Sequence, residues 1–346
     1  MRAVLRRDDD YVRAGKPSCD WDDETARGEL VDALARDAHA LLAVLDGRQV
    51  AEPVAQAAAL LATMVGQDLD QDEAGMFRIA PLVAKDRVIS TVDPQARHGH
   101  KTSARGFDGY KGHVAVDPDS EVITATEVTA GNTGDAASAA DLLAGDLVDA
   151  AAQEPLRVYG DSSYGAGQLL DTLEQAGAEA VCKVQPPPAV GGRFSKDAFT
   201  IDLDSAAVTC PAGQTAPLRL ANKQRPGSVA SFGQACATCP LATRCTNSKT
   251  GRTVFVGPYE EQLARARAKQ HDPDFQHDYR ATRPKVERKI AHLTRRRHGG
   301  RRARVRGQVK LAADFALLAA AVNLARLAIL GACHTSSGWV LPTNGQ

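Results

Sequence analysis

The 346-residue sequence lacks the short motifs that identify several large enzyme classes. It contains no G-x-x-x-x-G-K-[ST] phosphate-binding loop, no G-x-S-x-G nucleophile elbow and no internal repeat. These absences count against a P-loop nucleotidase, an α/β-hydrolase and a repeat protein.

Secretion and membrane signals are also scarce. The first eight residues, MRAVLRRD, contain no apolar run, so the cytoplasm is the expected location. One long apolar stretch, residues 311–330, is interrupted by Asp314, Asn323 and Arg326. We therefore interpret it as a buried core helix and expect no membrane association.

Net charge is zero, because Lys plus Arg and Asp plus Glu each total 42, but the charge is very uneven along the chain. Between Tyr279 and Lys310, thirteen Lys and Arg accompany a single acid, Glu287, whereas residues 1–75 hold sixteen acids and eight bases. So basic a segment predicts a polyanionic partner, and the alternative is a solvated helix face.

Hydrophobic spacing predicts an α/β fold. Two helices (23–46 and 52–65) suggest an N-terminal helical hairpin, and two strand-like runs (110–116 and 122–128) are joined by a turn. The remaining elements alternate: a helix at 135–152, a strand ending at Asp161, a helix at 167–176 and a strand at 180–184. This alternation predicts a mixed sheet with flanking helices.

Prolines at 186–188 and glycines at 191–192 mark the start of an insertion. Helices are predicted to resume at 259–268, then from about Pro284 at a first helical turn, and at 311–330. The predicted division is 1–80 helical hairpin, 81–185 first part of the main domain, 186–256 Cys-rich insertion, 257–335 basic helical part of the main domain, and 336–346 tail.

Four of the seven cysteines fall inside that insertion: Cys210, Cys236, Cys239 and Cys245. The pair Cys236 and Cys239 has the spacing of a metal-chelating knuckle, and the other two thiolates complete a tetrahedral set. Stable disulfides are not expected in a cytoplasmic chain. The sequence therefore favours one structural Zn²⁺, with four reduced thiols as the alternative.

Two carboxylates occupy positions suited to phosphate chemistry. Asp161 follows an apolar strand pattern, and ligands of α/β sheets bind at the carboxyl ends of strands. Glu287 lies far downstream in the basic segment, and carboxylates that converge on Mg²⁺ promote phosphodiester cleavage. The alternatives are a turn or capping role for Asp161 and an i,i+4 ion pair between Arg283 and Glu287.

Several segments together resemble a DDE transposase of bacterial insertion sequences. They are VISTVDP at 88–94, GYKGHVAVD at 109–117, GDSSYG at 160–165, the cysteine insertion and RPKVERKI at 283–290. The combination is more specific than any one motif and covers nearly all of the chain from residue 20 onward. Tyr279, Arg283 and Arg295 match the family's Tyr-Arg-Glu-Lys signature only loosely, because the first spacing is one residue long and the Lys is replaced.

The resemblance implies a ribonuclease-H-like fold in which two Asp and one Glu bind two Mg²⁺ ions for strand cleavage and transfer. Asp161 corresponds to the second aspartate and Glu287 to the glutamate. The resemblance also implies terminal-repeat and target DNA as partners, a homodimer when active, and a nucleoid-associated location. The basic residues expected to contact DNA are Arg280, Arg283, Lys285, Arg288, Lys289, Arg295, Arg296, Arg297, Arg301 and Arg302.

The first aspartate is where the sequence departs from the family. It is expected in an Asp-Ser-Thr or Asp-Gly-Thr segment, and neither tripeptide occurs. Asp93 and Asp117 are substitutes, although each precedes proline and is typical of a turn. We therefore expect an N-terminally partial, inactive copy. The alternatives are a non-catalytic DNA-binding remnant or regulator and a zinc-stabilised nuclease.

Overall fold

The computed structural model describes residues 2–341 except 14, 103, 151–154, 223, 296, 297 and 337. It confirms a mixed α/β architecture. The chain divides into two compact units, which are described one at a time. The first comprises Met1–Gly112, Val128–Thr133 and Gly300–Leu318, and the second comprises His113–Glu127, Gly134–Gly299 and Ala319–Gln346.

The described residues form the following helices and strands. The helices are α1 (Glu24–Leu45), α2 (Glu52–Asp68), α3 (Asp135–Leu142), α4 (Ala144–Ala150), α5 (Gly167–Gln175), α6 (Ala242–Cys245), α7 (Glu260–Lys269), α8 (Pro273–Thr294) and α9 (Gln308–Ile329). The strands are β1 (Leu69–Gln71), β2 (Phe77–Ile79), β3 (Arg97–Thr102), β4 (Arg105–Val116), β5 (Ile123–Ala130), β6 (Arg157–Gly160), β7 (Glu179–Cys182), β8 (Thr200–Asp202), β9 (Ala207–Thr209), β10 (Thr215–Leu220), β11 (Ser228–Ser231), β12 (Thr253–Val256), β13 (Cys333–Thr335) and β14 (Gly338–Val340).

In the first unit, α1 and α2 pack together as the predicted helical hairpin. The Asp23 carboxylate caps α1 by accepting a hydrogen bond from the Thr25 amide at 2.8 Å. Asp37, on the same helix, is buried and accepts hydrogen bonds from the Arg6 and Arg7 amides and from the Tyr11 hydroxyl. Every oxygen of this buried carboxylate is thereby satisfied, which anchors the N-terminal segment to α1.

The predicted strand hairpin is present as β4 and β5, in a three-stranded sheet of order β3-β4-β5. The turn between β4 and β5 starts at Asp117. The Asp117 amide donates to the Val122 carbonyl at 2.9 Å, and the Glu121 amide donates to the Asp117 carbonyl at 2.8 Å. Glu121 itself has a φ of 58°.

In the second unit, β6 and β7 are parallel neighbours connected through α5. Gly160, the last residue of β6, is opposite Cys182. One face of α5 buries Leu169, Leu170 and Leu173, which supply the apolar surface that covers these strands. This β-α-β arrangement places Asp161 immediately after the carboxyl end of a sheet strand, as the sequence predicts.

The insertion is an antiparallel five-stranded sheet of order β12-β11-β10-β9-β8. Its core contains Val208, Ala230 and Val254, with Phe199 and Phe232 in contact at a centroid distance of 5.8 Å. The strands are only three to six residues long, so the apolar core is small.

Two expectations about the C-terminal helices are wrong. The basic helix begins at Pro273 rather than near Pro284, because Asp272 caps it and Pro273 occupies its first turn, which leaves Pro284 inside the helix. The predicted buried helix, α9, is largely exposed: Leu317 is 71% and Leu324 69% exposed, and Ala319 and Val322 are its buried residues. An apolar sequence shows what a helix is able to bury, and the surrounding chain decides what it does bury.

Among the described residues, α9 alone is long and apolar enough to cross a membrane by length and composition. A single helix of this kind is weak grounds for membrane association.

Candidate active site around Asp161 and Glu287

Asp161 lies in a tight turn after β6. Its Oδ1 accepts a hydrogen bond from the Ser163 amide at 2.9 Å, and its carbonyl accepts from the Tyr164 amide at 3.0 Å. The side chain is 46% exposed. Asp161 therefore organises the turn through one carboxylate oxygen and is still accessible to solvent. Its other carboxylate oxygen points toward α8.

The second oxygen of Asp161 meets Arg283. Arg283 Nη2 is 3.2 Å from Asp161 Oδ2, and Arg283 Nη1 is 3.8 Å from Glu287 Oε1. The Arg283 side chain is only 12% exposed, whereas Glu287 is 67% exposed. A single guanidinium thus connects the two carboxylates singled out in the sequence. The i,i+4 ion pair expected as the alternative for Glu287 is present, but it is the longer of the two contacts.

Arg283 is not fully satisfied by these carboxylates. Its Nε and Nη1 are buried and have no hydrogen-bond partner. Leaving buried donors unpaired is costly, so the arrangement places an under-satisfied cation between two acids.

The glycine at the end of this turn has a packing role. A Cβ on Gly165 would lie 2.1 Å from the Lys183 carbonyl oxygen, and one on Gly160 would lie 2.8 Å from the Cys182 sulfur. Both glycines therefore let the turn lie directly against β7 and the residue that follows it.

Tyr164 adds a buried polar group beside Asp161. Its hydroxyl is 3.2 Å from His113 Nδ1. Burial raises the pKa of Tyr164 to about 12, and the charges of Asp135, Asp161 and Glu127 add to the rise while Arg283 opposes it. Tyr164 is therefore neutral at physiological pH and sits in an acidic environment that the sequence alone did not reveal.

Glu127 on β5 belongs to this acidic environment. Its Oε2 is buried and has no hydrogen-bond partner. Burial raises the pKa of Glu127, and the neighbouring Asp141 raises it further. In the sequence, Glu127 is distinguished only as an acid within a β-branched strand.

The two proposed substitutes for the first aspartate have structural partners. In the first unit, Asp93 accepts hydrogen bonds from the Tyr110 hydroxyl at 2.7 Å and from the Gly307 amide at 3.4 Å. In the second, Asp117 accepts from the Asp119 and Ser120 amides and from the Ser120 hydroxyl. Burial opposes ionisation of Asp117, but these hydrogen bonds keep its pKa below the usual value. Both are turn residues, as their sequence context indicates.

Within the described part of the chain, no group of three or more His, Cys, Asp or Glu side chains has an arrangement that could hold a metal ion. Asp161 and Glu287 are brought together, but a third ligand does not join them there.

The basic residues of the predicted DNA-contacting set differ in their surroundings. Lys289 is buried at 3% exposure and lies 3.6 Å from Glu121, and Arg288 lies 2.8 Å from the same carboxylate. Arg280 is exposed and contacts Gln276, and Arg295 caps the end of α8. Lys285 is half-buried, Arg301 and Arg302 are exposed, and Arg296 and Arg297 lie outside the described residues. Lys289 and Arg283 are thus engaged inside the protein.

The four cysteines of the insertion line one pocket, together with Phe194, Phe232 and Arg252 among others. All four are free thiols. Burial raises the pKa of Cys245, Arg252 opposes the rise, and the thiols of Cys236, Cys210 and Cys239 add to it. The spacing in the sequence therefore corresponds to proximity in the folded insertion.

The comparison with known protein families assigns part of this chain. Residues 209–328, 120 of the 346 residues, match the family described as Transposase DDE domain. The match confirms the resemblance to a DDE transposase. The matched segment contains Glu287, Arg283 and all four cysteines, and it begins downstream of Asp161. No curated protein and no solved structure matches the chain.

Proposed function

We propose that this chain is a DDE-type transposase built on a ribonuclease-H-like fold, and that it acts on the ends of an insertion sequence. One observation carries the proposal: Asp161 and Glu287, which are remote in sequence, both lie against the guanidinium of Arg283. The parallel β6-α5-β7 unit and the β4-β5 hairpin before it are elements that this fold contains, although in the described residues they belong to two separate sheets. We also propose the division of the chain predicted from the sequence, at residues 1–80, 81–185, 186–256, 257–335 and 336–346.

Asp161 and Glu287 are the residues that would hold Mg²⁺. Carboxylate oxygens are the ligands that Mg²⁺ prefers, and both side chains reach solvent. When bound, the metal supplies activation of the attacking hydroxyl and stabilisation of the leaving oxygen. The two carboxylates fit one hard cation. They do not by themselves supply the bridging set that two ions require.

Arg283 acts as the counter-ion of the two carboxylates when no metal is present. A guanidinium at these distances lowers the repulsion between two acids. A divalent cation placed between them has to compete with this arginine.

DNA binding is assigned to the exposed part of the basic segment. Arg280, Arg301 and Arg302 are exposed and available to phosphates, and Arg288 is 54% exposed beside Glu121. Arg283 and Lys289 leave the predicted contact set, because they are buried among carboxylates. The homodimer, the target DNA and the nucleoid-associated location form the rest of the proposal.

We further propose that the chain cleaves DNA poorly. In the described residues no group of three or more His, Cys, Asp or Glu side chains could hold a metal ion, and phosphoryl transfer with two ions depends on ligands that bridge both. The same observation favours the second candidate function, a DNA-binding remnant or regulator without catalysis.

The test uses a labelled duplex that carries the ends of the insertion sequence encoding this chain. Binding and Mg²⁺-dependent nicking are measured for the protein and for Asp161→Ala, Glu287→Ala and Asp204→Ala, the last being an exposed acid in the insertion. Tight binding with slow nicking that both site variants abolish and Asp204→Ala leaves unchanged is the expected result.

Each other outcome selects a different function. Binding without any nicking identifies the remnant or regulator. Nicking that does not require the terminal sequences identifies the zinc-stabilised nuclease. Nicking that survives both site variants overturns the assignment of Asp161 and Glu287.

A further inference from the structure

The cysteine pocket lies in a part of the molecule that the proposed transposase chemistry does not use. Cys210 follows β9, Cys236 ends a short 3-10 helix, Cys239 lies in the next turn and Cys245 ends α6. Two segments of the chain, the turn after β9 and residues 236–245, thus bring four thiols to one pocket. Cys245 also belongs to the apolar core of the insertion, and Cys210 and Cys236 pack against that core.

The backbone around these cysteines is already shaped for ligation. The Cys210 amide donates to the Gln214 carbonyl at 2.8 Å, and Gly213, with a φ of 78°, donates back to the Cys210 carbonyl at 2.8 Å. This makes a tight loop that presents the Cys210 side chain. Only glycine adopts that left-handed conformation without strain.

The Cys236–Cys239 loop has a similar organisation. The Cys239 amide donates to the Cys236 carbonyl at 3.3 Å, and the Ala242 amide donates to the Cys239 carbonyl at 3.1 Å. The Arg252 amide donates to the Cys236 sulfur at 3.4 Å. Amide hydrogen bonds to sulfur stabilise a thiolate, and outer-shell donors of this kind orient metal ligands.

Arg252 holds the wall of the pocket together. Its Nη1 donates to the Cys245 carbonyl at 3.2 Å, its Nη2 donates to the Phe194 carbonyl at 3.3 Å, and its guanidinium lies over the Phe199 ring at 5.4 Å. The cation therefore lies next to the thiols and connects the backbone at Cys245 to the backbone at Phe194.

The insertion has short strands around a small apolar core. Five strands of three to six residues enclose a core in which Ala216 and Ala230 lie beside Phe199 and Phe232. Domains of this size seldom obtain enough stability from a hydrophobic core and commonly add a disulfide or a metal. The four cysteines of the insertion are free thiols, and thiolates are ligands of structural zinc.

We propose that Cys210, Cys236, Cys239 and Cys245 bind one structural Zn²⁺ that locks the insertion. No three of these thiols are arranged to hold an ion, so binding requires their side chains to rotate toward one another. Four thiolates around one ion make the closed tetrahedral set that structural zinc prefers. The site has no catalytic role, because it leaves no open position for water or substrate.

The test uses the full chain purified under reducing conditions. Elemental analysis is expected to give about one zinc per chain, and exchange with Co²⁺ is expected to give the absorption of tetrahedral thiolate coordination. Cys239→Ser should lower the zinc content to a small fraction of that value, while Cys19→Ser and Cys333→Ser serve as matched controls outside the pocket. Limited proteolysis after chelation should cut within residues 186–256.

The Co²⁺ spectrum keeps the proposal testable on the unmodified chain if Cys239→Ser does not fold. A chain without zinc whose four thiols all react with a thiol reagent overturns the proposal. Two disulfides among the four cysteines would also overturn it. Zinc that is retained in Cys239→Ser and lost in Cys333→Ser would do the same. None of these outcomes depends on DNA cleavage, so the zinc proposal and the proposed function fail separately.

Discussion

Arg283 Nη2 lies 3.2 Å from Asp161 Oδ2, a contact between residues 122 positions apart in the sequence. The arginine comes from the middle of α8 and the aspartate from the turn after β6. Arg283 is also close to Glu287, so the turn after β6 and helix α8 meet at a cluster of three charged side chains.

Removing this arginine should tighten binding of a divalent cation. Arg283→Met removes the positive charge that competes with the cation for the two carboxylates. The attraction between opposite charges at such distances is worth about 1 kcal/mol or more. We expect Mn²⁺ to bind about fivefold more tightly or better, measured by electron paramagnetic resonance titration. Arg280→Met, on the same helix but in contact with Gln276, is the matched control. Unchanged Mn²⁺ affinity in Arg283→Met would show that the arginine and the cation do not share a site.

The turn at Gly165 should not tolerate a side chain. A Cβ there would lie 2.1 Å from the Lys183 carbonyl, so Gly165→Ala forces the turn away from the chain after β7. We expect a loss of about 2–4 kcal/mol in the free energy of unfolding, measured by urea denaturation. Gly145→Ala is the control, because its Cβ meets nothing within 4 Å and it lies in α4, where alanine stabilises by about 0.5–1 kcal/mol. Equal stabilities of the two variants would contradict the close approach.

Glu121 should contribute stability that disappears in acid. Burial favours the neutral form, but Arg288, Lys289 and Arg326 lower the pKa of Glu121 below its ordinary 4.5. A folded-state pKa below the unfolded value means that the stabilisation is present above about pH 4.5 and is lost as pH falls through the folded pKa. In Glu121→Gln we expect a loss of about 2 kcal/mol at pH 7, because buried Lys289 loses its carboxylate partner.

Thermal unfolding across pH tests this expectation. The difference between Glu121→Gln and the unmodified chain should shrink toward about pH 3. Glu261→Gln is the control, since its ion pair with Arg265 is exposed and worth about 0.5 kcal/mol or less. A difference that stays constant from neutral to acid pH would assign the effect to packing rather than to charge.

Salt dependence should locate the DNA-contacting arginines. If Arg301 and Arg302 each replace a counter-ion on a phosphate, Arg301→Gln and Arg302→Gln should each reduce the slope of log affinity against log salt by about 0.9. Arg219→Gln, an exposed arginine on β10, should leave the slope unchanged. Fluorescence anisotropy with a duplex of the terminal repeat gives the slopes. Identical slopes for all three variants would place the DNA elsewhere.

Local elements were well predicted from the sequence. The helical hairpin, the β4-β5 hairpin, the strand before Asp161 and the following helix and strand follow from spacing and turn residues that act over a few positions. The start of α8 differs from the sequence prediction, because Asp272 and Pro273 begin the helix and Pro284 lies inside it. Both signals are local, and the choice between them depends on what the helix packs against.

The sequence by itself determined the residue types: a carboxylate after a strand, a lone acid among bases, and cysteines with chelating spacing. Only the tertiary structure decided that Arg283 lies between Asp161 and Glu287, that Lys289 is buried on Glu121 and that α9 is exposed. The physical reason is the distance along the chain over which each kind of interaction acts. Periodicity and turn chemistry are encoded over a few residues, whereas the pairing of charges and the covering of apolar faces depend on which distant segments pack together.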